Sequence, residues 1–238
     1  MALKVYGYDV GSPPNQSLAS GYLTFTQGNP RTRIVRSIAA AQGIEIELSE
    51  SIPRQNINRD FLISRFPRSR GKIPVLEGHA VTLTEYLAKL KPSNLLGDGS
   101  VEQEAEVLSW VNWANQELLM IMSRWFLPLI PGLARPAPYN KAAVETGKEA
   151  TIAILDIHEK MMQRKEYLVG DHITLADIFV AIYLSRGMER VLDAEWRARH
   201  PESMRHFNMV ANWGPVKQAV PHFTFIEKES PNVDPYSQ

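Results

Sequence analysis

Apolar and polar positions along this chain follow two regimes. Up to about residue 97 they switch between the alternation of strands and the three-to-four-residue spacing of helices. Ile44-Glu45-Ile46-Glu47-Leu48 alternates as a half-buried strand does. From Arg31 to Gln42, Ile34, Val35, Ile38 and Ala39 share one face and predict a helix. Asn29 suits its N-cap, Pro30 suits a first helical position whose N–H would have no partner, and Gly43 stops it. Tyr22 to Thr26 is β-branched and aromatic and predicts a strand before that helix. The unit then reads strand–helix–strand, parallel and right-handed. A helical stretch near Asn58 to Arg65 follows, then Gly71 to Gly78, an apolar strand start with an embedded proline. Val81-Thr82-Leu83 is short enough to be its hairpin partner. Leu3 to Tyr8 could make a short strand, but Gly11-Ser12-Pro13-Pro14-Asn15 breaks it, so residues 1–20 read as an appended arm.

Beyond Gly99 the strand signal fades. Val101 to Trp125 is one long helical pattern, and Lys141 to Arg164 is another, with Ala150, Ile154, Ile157 and Met161 about one turn apart. A third runs from Leu175 toward Arg190, and a last short one closes near Trp213. The expected organisation is an arm (1–20), an α/β domain (21–97), an all-helical domain (100–225) and a loose polar tail (226–238).

Composition narrows the chemistry. The 26 Lys and Arg balance the 26 Asp and Glu, for a formal net charge of +0. A general nucleic-acid binder usually carries a basic excess, so nucleic acid is not expected as a partner. With 0 cysteines, disulfides, thiolate zinc sites and a protein-borne thiol nucleophile are excluded. Any thiol chemistry must use a thiol brought in by a small molecule. The six His show no metal spacing, so no metal is expected. There is no uninterrupted apolar run of ~18 residues, the length of a membrane span, and no short apolar block at the N-terminus. The expected setting is cytoplasmic, with no membrane partner.

Two short motifs stand out. Thr174-Leu175-Ala176-Asp177 has the spacing of a capping box, flanked by Ile173 and Ile178 at hydrophobic-staple positions. Its role is structural: it nucleates a buried helix. Ile73-Pro74 puts a proline at a strand start, where it removes a ladder N–H. On local physics a trans bond at a sheet edge is favoured. A cis bond would turn the Ile73 backbone outward for strand-like pairing with an extended peptide.

Taken in order, Gly28-Asn29-Pro30, Phe66-Pro67, Gly71-Lys72-Ile73-Pro74-Val75-Leu76-Glu77-Gly78, Leu83-Thr84-Glu85 and Val169-Gly170 with Thr174-Leu175-Ala176-Asp177 resemble the cytosolic glutathione transferases. The resemblance covers roughly Gly21 to Phe223. Gln55, Asn58-Arg59-Asp60-Phe61-Leu62 and Val111-Asn112-Trp113-Ala114-Asn115 are similar to the elongation-factor-1-gamma-like fungal subgroup. The implied fold class is α/β, an N-terminal thioredoxin-like domain, followed by an all-α C-terminal domain, the glutathione transferase architecture. The implied cosubstrate is glutathione, and the implied partner substrate is a hydrophobic electrophile. The implied assembly is a homodimer with the helix from Val101 in its interface. The implied reaction is glutathione addition to, or glutathione-dependent trans/cis isomerisation of, a double bond in a fungal secondary metabolite. The alternative is a non-catalytic interaction module like that of the elongation factor. An end at Gln238, with no sign of the factor's second domain, favours the free-standing enzyme.

The resemblance also assigns residues. It makes Ile73-Pro74 the family's cis-proline, with the Ile73 backbone pairing with the cysteinyl unit of glutathione. Lys72 occupies a position that often contacts the peptide, although a solvated lysine fits equally. Gln55, ahead of Asn58 and Arg59, matches the region that holds the glycine carboxylate. Glu85 faces the γ-glutamyl ammonium. The family reads Glu-Ser there, whereas this chain continues directly with Tyr86-Leu87, so the γ-glutamyl carboxylate needs the Tyr86 hydroxyl or backbone N–H groups instead. Thr26 and Asn29 are the candidates for holding the thiolate, with Arg31 and Arg33 adding positive potential. One hydrogen bond to a charged acceptor supplies ~1.5–3 kcal/mol, enough to lower a thiol pKa by one to two units from ~8.5. Trp110, Asn112, Trp113, Met120 and Trp125 are the candidates for the second substrate, with core packing the competing role for about half of them.

Overall fold

The computed structural model describes residues 2–7, 29–50, 59–76, 83–130 and 139–237. They fall into two units, Met1–Lys91 and Pro92–Gln238.

The first unit is an α/β layer. Its strands are β1 (Leu3–Gly7), β2 (Ile46–Glu50) and β3 (Val75–Leu76), in the order β2-β1-β3. β1 pairs in parallel with β2, Leu3 opposite Ile46, and antiparallel with β3, Val5 opposite Leu76. Parallel neighbours need a long crossover, and α1 (Pro30–Ala41) lies within it. Helices α2 (Arg59–Arg65) and α3 (Leu83–Lys89) and a 3₁₀ turn, Pro67–Ser69, complete the unit. Val5, Ile34, Val35, Ile38, Leu62 and Leu87 form its buried interior.

Local chemistry explains α1. Asn29 is the N-cap, with Oδ1 accepting from the N–H of Arg31 (2.9 Å) and of Thr32 (3.4 Å), and Pro30 takes the first position. The helix ends at Gly43, whose φ of 56° is in the left-handed region that glycine tolerates. Gln42 Nε2 donates to Ala88 O (2.7 Å), tying the end of α1 to α3. Gly7 closes β1 against α1: a Cβ there would lie 2.7 Å from Thr32 Oγ1.

The second unit is helical: α4 (Val101–Trp113), α5 (Met120–Phe126), α6 (Lys141–Met162), α7 (Leu175–Met188), α8 (Ala194–Arg199), α9 (Pro201–Asn212) and α10 (Gly214–Ala219). Every residue of α7 is buried, so it is the core around which the others pack. Its N-terminus carries the expected capping box between Thr174 and Asp177. At the crossing of α5 and α6, a Cβ on Gly147 would meet Trp125 N at 2.9 Å, so only glycine allows this approach.

Four expectations change. Leu3–Gly7 is the central strand of the sheet, not part of an arm, because its register with both neighbours is set by long-range pairing that a downstream Gly/Pro cluster does not reveal. Leu83 opens α3 and is not a strand residue. The unit boundary falls at Lys91 and Pro92, before the expected Gly97, because Leu95 is buried and its carbonyl accepts from Leu175 N at 2.9 Å in the helical unit. The tail is pinned rather than loose. Ile226 N donates to Met188 O (3.0 Å), Arg197 donates to Ile226 O (2.7 Å), and Tyr139 OH donates to Asn232 O (2.9 Å). The expected strand Tyr22 to Thr26, together with Val81 and Thr82, lies outside the described residues.

Candidate functional site

The α/β unit holds the predicted glutathione-binding residues that the structure describes. The Ile73-Pro74 bond is cis. The Ile73 side chain is buried in a cluster with Tyr6 and Leu62, with Phe66 packed against it. Lys72 beside it is exposed, and its N–H is used by Ser69 O (2.9 Å). The approach to this corner is a tight turn with Arg70 at φ 53° and Gly71 at φ 76°. Gly71 N donates to Ser69 Oγ (3.0 Å).

Glu85 and Tyr86 stand in the first turn of α3, both partly exposed. A carboxylate so placed is also favoured by the helix dipole. At Asn29 the cap engages the Oδ1 atom, so the amide Nδ2 is the group it can turn toward an anion. Arg31 beside it is exposed and Arg33 is buried. Thr26, Gln55 and Asn58 lie outside the described residues, and Arg59 begins α2.

In the helical unit Trp110 and Trp113 are half-buried and meet edge to face, with centroids 5.2 Å apart and planes at 78°. Asn112 is exposed, and Met120 is 48% exposed at the start of α5. Trp125 departs from the expectation. It is 2% exposed, its Nε1 donates to Glu229 Oε1 (3.2 Å), and Lys148 Nζ sits 5.3 Å over its ring, so it is a core residue held by the tail.

Sequence reasoning missed the π-helical turn Ala114–Leu119 between α4 and α5. Asn115 stands within this turn. Its Nδ2 donates to Val111 O (2.9 Å), and its Oδ1 accepts from the hydroxyl of the buried Tyr183 (2.8 Å). The only visible signal was an amide inside an otherwise helical run. A cavity of about 360 Å³ after α6, lined by Arg164 to Leu168, Gly170 and Asp171, contains none of the predicted site residues. Among the described residues no group of three or more His, Asp or Glu could hold a metal ion. Among them, too, no helix is long and apolar enough to cross a membrane.

Comparison with known proteins agrees with this architecture. Residues 120–213 match the glutathione S-transferase C-terminal domain. Glutathione S-transferase stcT of Emericella nidulans is 30% identical over 185 residues, covering 76% of this chain and 83% of that protein. A putative elongation factor 1 gamma homolog of Saccharomyces cerevisiae is 30% identical over 191 residues, covering 76% of this chain and 82% of its own. Elongation factor 1-gamma 1 of the same yeast is 29% identical over 205 residues, and the match spans 83% of this chain but 48% of that longer protein. In structure, the GST-like domain of the yeast elongation factor 1-gamma superposes with a TM-score of 0.72 at 24% identity, covering 97% of this chain and 98% of that one. A glutathione S-transferase from Methylobacillus flagellatus, solved with glutathione bound, gives 0.69 at 19% identity, covering 92% and 98%. The chain belongs to the glutathione S-transferase family, in which fungal transferases and the elongation-factor-1-gamma modules both stand.

Proposed function

We propose that the protein is a glutathione transferase acting on an electrophilic small molecule, a fungal secondary metabolite. The observation that chiefly supports the reading is that Ile73, at the Ile73-Pro74 corner, has its side chain held in the core with Tyr6 and Leu62. In this reading Ile73 pairs with the cysteinyl unit of glutathione, Glu85 faces the γ-glutamyl ammonium, and Tyr86 and Lys72 contact the rest of the peptide. Gln55 takes the glycine carboxylate. Asn29, with Thr26, steadies the thiolate. Trp110 and Trp113 give the electrophile an aromatic face, flanked by Asn112 and Met120. The protein works in the cytoplasm as a homodimer and uses no metal.

The chemistry starts with thiolate attack on the β-carbon of an activated double bond. A C–S bond forms and the electron pair moves to the carbonyl oxygen. Protonation of the enolate carbon by solvent gives the thioether. If the enolate is not protonated, it rotates about the former double bond, now single, and the electron pair returning from oxygen re-forms the double bond as the C–S bond breaks, giving the isomer and returning glutathione unchanged. The transferase of the pseurotin pathway is the natural first comparison. Incubating the purified protein with glutathione and cis-enone or cis-enedione substrates, then analysing products by mass spectrometry, tests the reading. An enzyme-dependent adduct or a mass-neutral isomer supports it, and the absence of both across the series overturns it.

A second reading is favoured by the likeness to the elongation-factor-1-gamma domain over nearly all of both chains. There the chain is a protein-interaction module, and it binds no glutathione.

A further inference from the structure

The helix proposed to receive the electrophile carries a charge pattern that the chemistry so far leaves unused. Between Pro92 and Ser123 the chain holds Asp98, Glu102, Glu104, Glu106 and Glu117, and no Lys or Arg. Two of these carboxylates bracket the tryptophan pair. Glu106 stands four residues before Trp110, and Glu117 four residues after Trp113. Positions four apart on a helix are neighbours, with Cβ atoms about 5–6 Å apart. From α4 into the turn that follows it, one side of the helix therefore runs Glu106, Trp110, Trp113, Glu117. Both carboxylates are exposed, and the indoles are half-buried and meet edge to face at 5.2 Å.

Basic side chains of the neighbouring elements offset this little. Lys165, after α6, reaches Glu106 at 3.8 Å, but both side chains are about half exposed, and such a pair is weak in water. Lys148 on α6 is taken up by Glu229 (2.6 Å) and by the Trp125 ring. Arg124, the first basic residue to follow in the chain, stands on α5 about two turns past Glu117. No cation among the described residues pairs with Glu117. An indole face attracts a cation through its ring quadrupole, more strongly than Tyr or Phe does. A carboxylate one turn away adds Coulombic attraction for the same charge. Both effects work against an anion.

We propose that this aromatic face selects an electrophile bearing a positive charge, a quaternary ammonium or a protonated amine, over a carboxylate on the same skeleton, with Glu106 and Glu117 setting the preference. The inference rests on the reading of Trp110 and Trp113 as the second-substrate face and adds to it the charge of what binds there.

Binding can be read without turnover. Three saturated, unreactive ketones of one skeleton, bearing a trimethylammonium group, a tert-butyl group or a carboxylate, are titrated into the full-length protein labelled with ¹⁵N-tryptophan at pH 7 and low salt. The indole N–H cross-peaks of Trp110 and Trp113 report the site. The expected order of affinity is ammonium, tert-butyl, carboxylate. At about 6 Å one exposed carboxylate is worth roughly threefold in water, for the cation and against the anion, so the ammonium should bind at least ~10-fold more tightly than the carboxylate. The ratio should shrink in 1 M salt, where the Debye length is about 3 Å. Glu117→Gln should narrow it several-fold, whereas Glu195→Gln on α8, an equal loss of charge elsewhere, should leave it unchanged. A carboxylate that binds as tightly as the ammonium, a preference that neither Glu117→Gln nor 1 M salt reduces, or cross-peaks of Trp110 and Trp113 that none of the three ligands moves overturns the proposal. Turnover of uncharged enones with glutathione judges the transferase reading separately. A protein that turns them over yet shows no charge preference at the tryptophans keeps that reading and loses this one. A protein that binds the three ligands in the expected order yet forms no product keeps the charge selectivity and fails as a transferase.

Discussion

At the scale of the residue, Asn29 is asked to do two things with different atoms. Oδ1 caps α1, which leaves the amide donor for a thiolate. Asn29→Asp separates the roles. Aspartate caps as well as asparagine, so stability should stay within ~0.5 kcal/mol. A carboxylate beside the sulfur repels the thiolate, so the thiol pKa of bound glutathione, followed by ultraviolet absorbance, should rise by ~1–2 units. An unchanged thiol pKa would remove Asn29 from the proposed chemistry. His158 gives a second prediction. The unfolded chain takes up this proton near 6.5, the ordinary histidine value, while burial of the ring makes the folded chain refuse it until about 3. Between those values the unfolded state binds more protons, so stability is complete above 6.5 and falls as pH drops. The loss should reach ~2 kcal/mol by pH 5. His158→Asn keeps a partner for Ser203 and should flatten this slope in urea titrations at pH 7 and pH 5. An equal slope in both proteins would contradict the assignment. The cap at Asn29 was legible because asparagine before proline carries its own local signal. His158 was not, because its burial depends on α9, forty-odd residues away in sequence.

At the scale of the element, the tail is the clearest case of structure departing from composition. Its polar residues read as solvated, yet they are tied down one by one across the helical unit. Glu229 is central: it accepts from Trp125 Nε1 (3.2 Å) and from Lys148 Nζ (2.6 Å), and its own N–H reaches Asp193 Oδ2 (3.3 Å). Phe223 and Phe225 pack on Phe207 on the same course. Glu229→Ala leaves the buried indole N–H unpaired, so unfolding should become easier by ~1–3 kcal/mol. Trypsin should then cut after Lys228 faster than in the parent at 25 °C. Equal cleavage rates would show that the aromatic anchors hold the tail without Glu229. The same contrast explains which elements were readable. α1, α6 and α7 announce themselves through spacing and caps, whereas β1 exists only through partners more than forty residues away. The π-turn likewise holds a hydrogen bond from Tyr183 to Asn115, a tertiary contact that no local pattern encodes.

At the scale of the molecule, the family and the two-part architecture were legible because motifs of modest information recur in a fixed order. The proposed glutathione site was legible only in part. Ile73-Pro74 and Glu85 are marked by that order, but the donor that replaces the missing serine after Glu85 depends on tertiary placement. The proposed assembly is testable on its own. Obligate pairs persist at micromolar concentration, so sedimentation should show a species of about 54 kDa rather than about 27 kDa; a 27 kDa species alone would refute the dimer. The central claim is that this chain binds glutathione through the Ile73 corner and Glu85. Titration calorimetry of the purified protein, parent and Glu85→Ala, tests it most directly. The account predicts saturable binding by the parent and ~10–100-fold weaker binding by the variant, the loss of one charge-assisted bond of ~1.5–3 kcal/mol. A parent that binds no glutathione at millimolar concentration, or a variant that binds it equally well, would contradict the account.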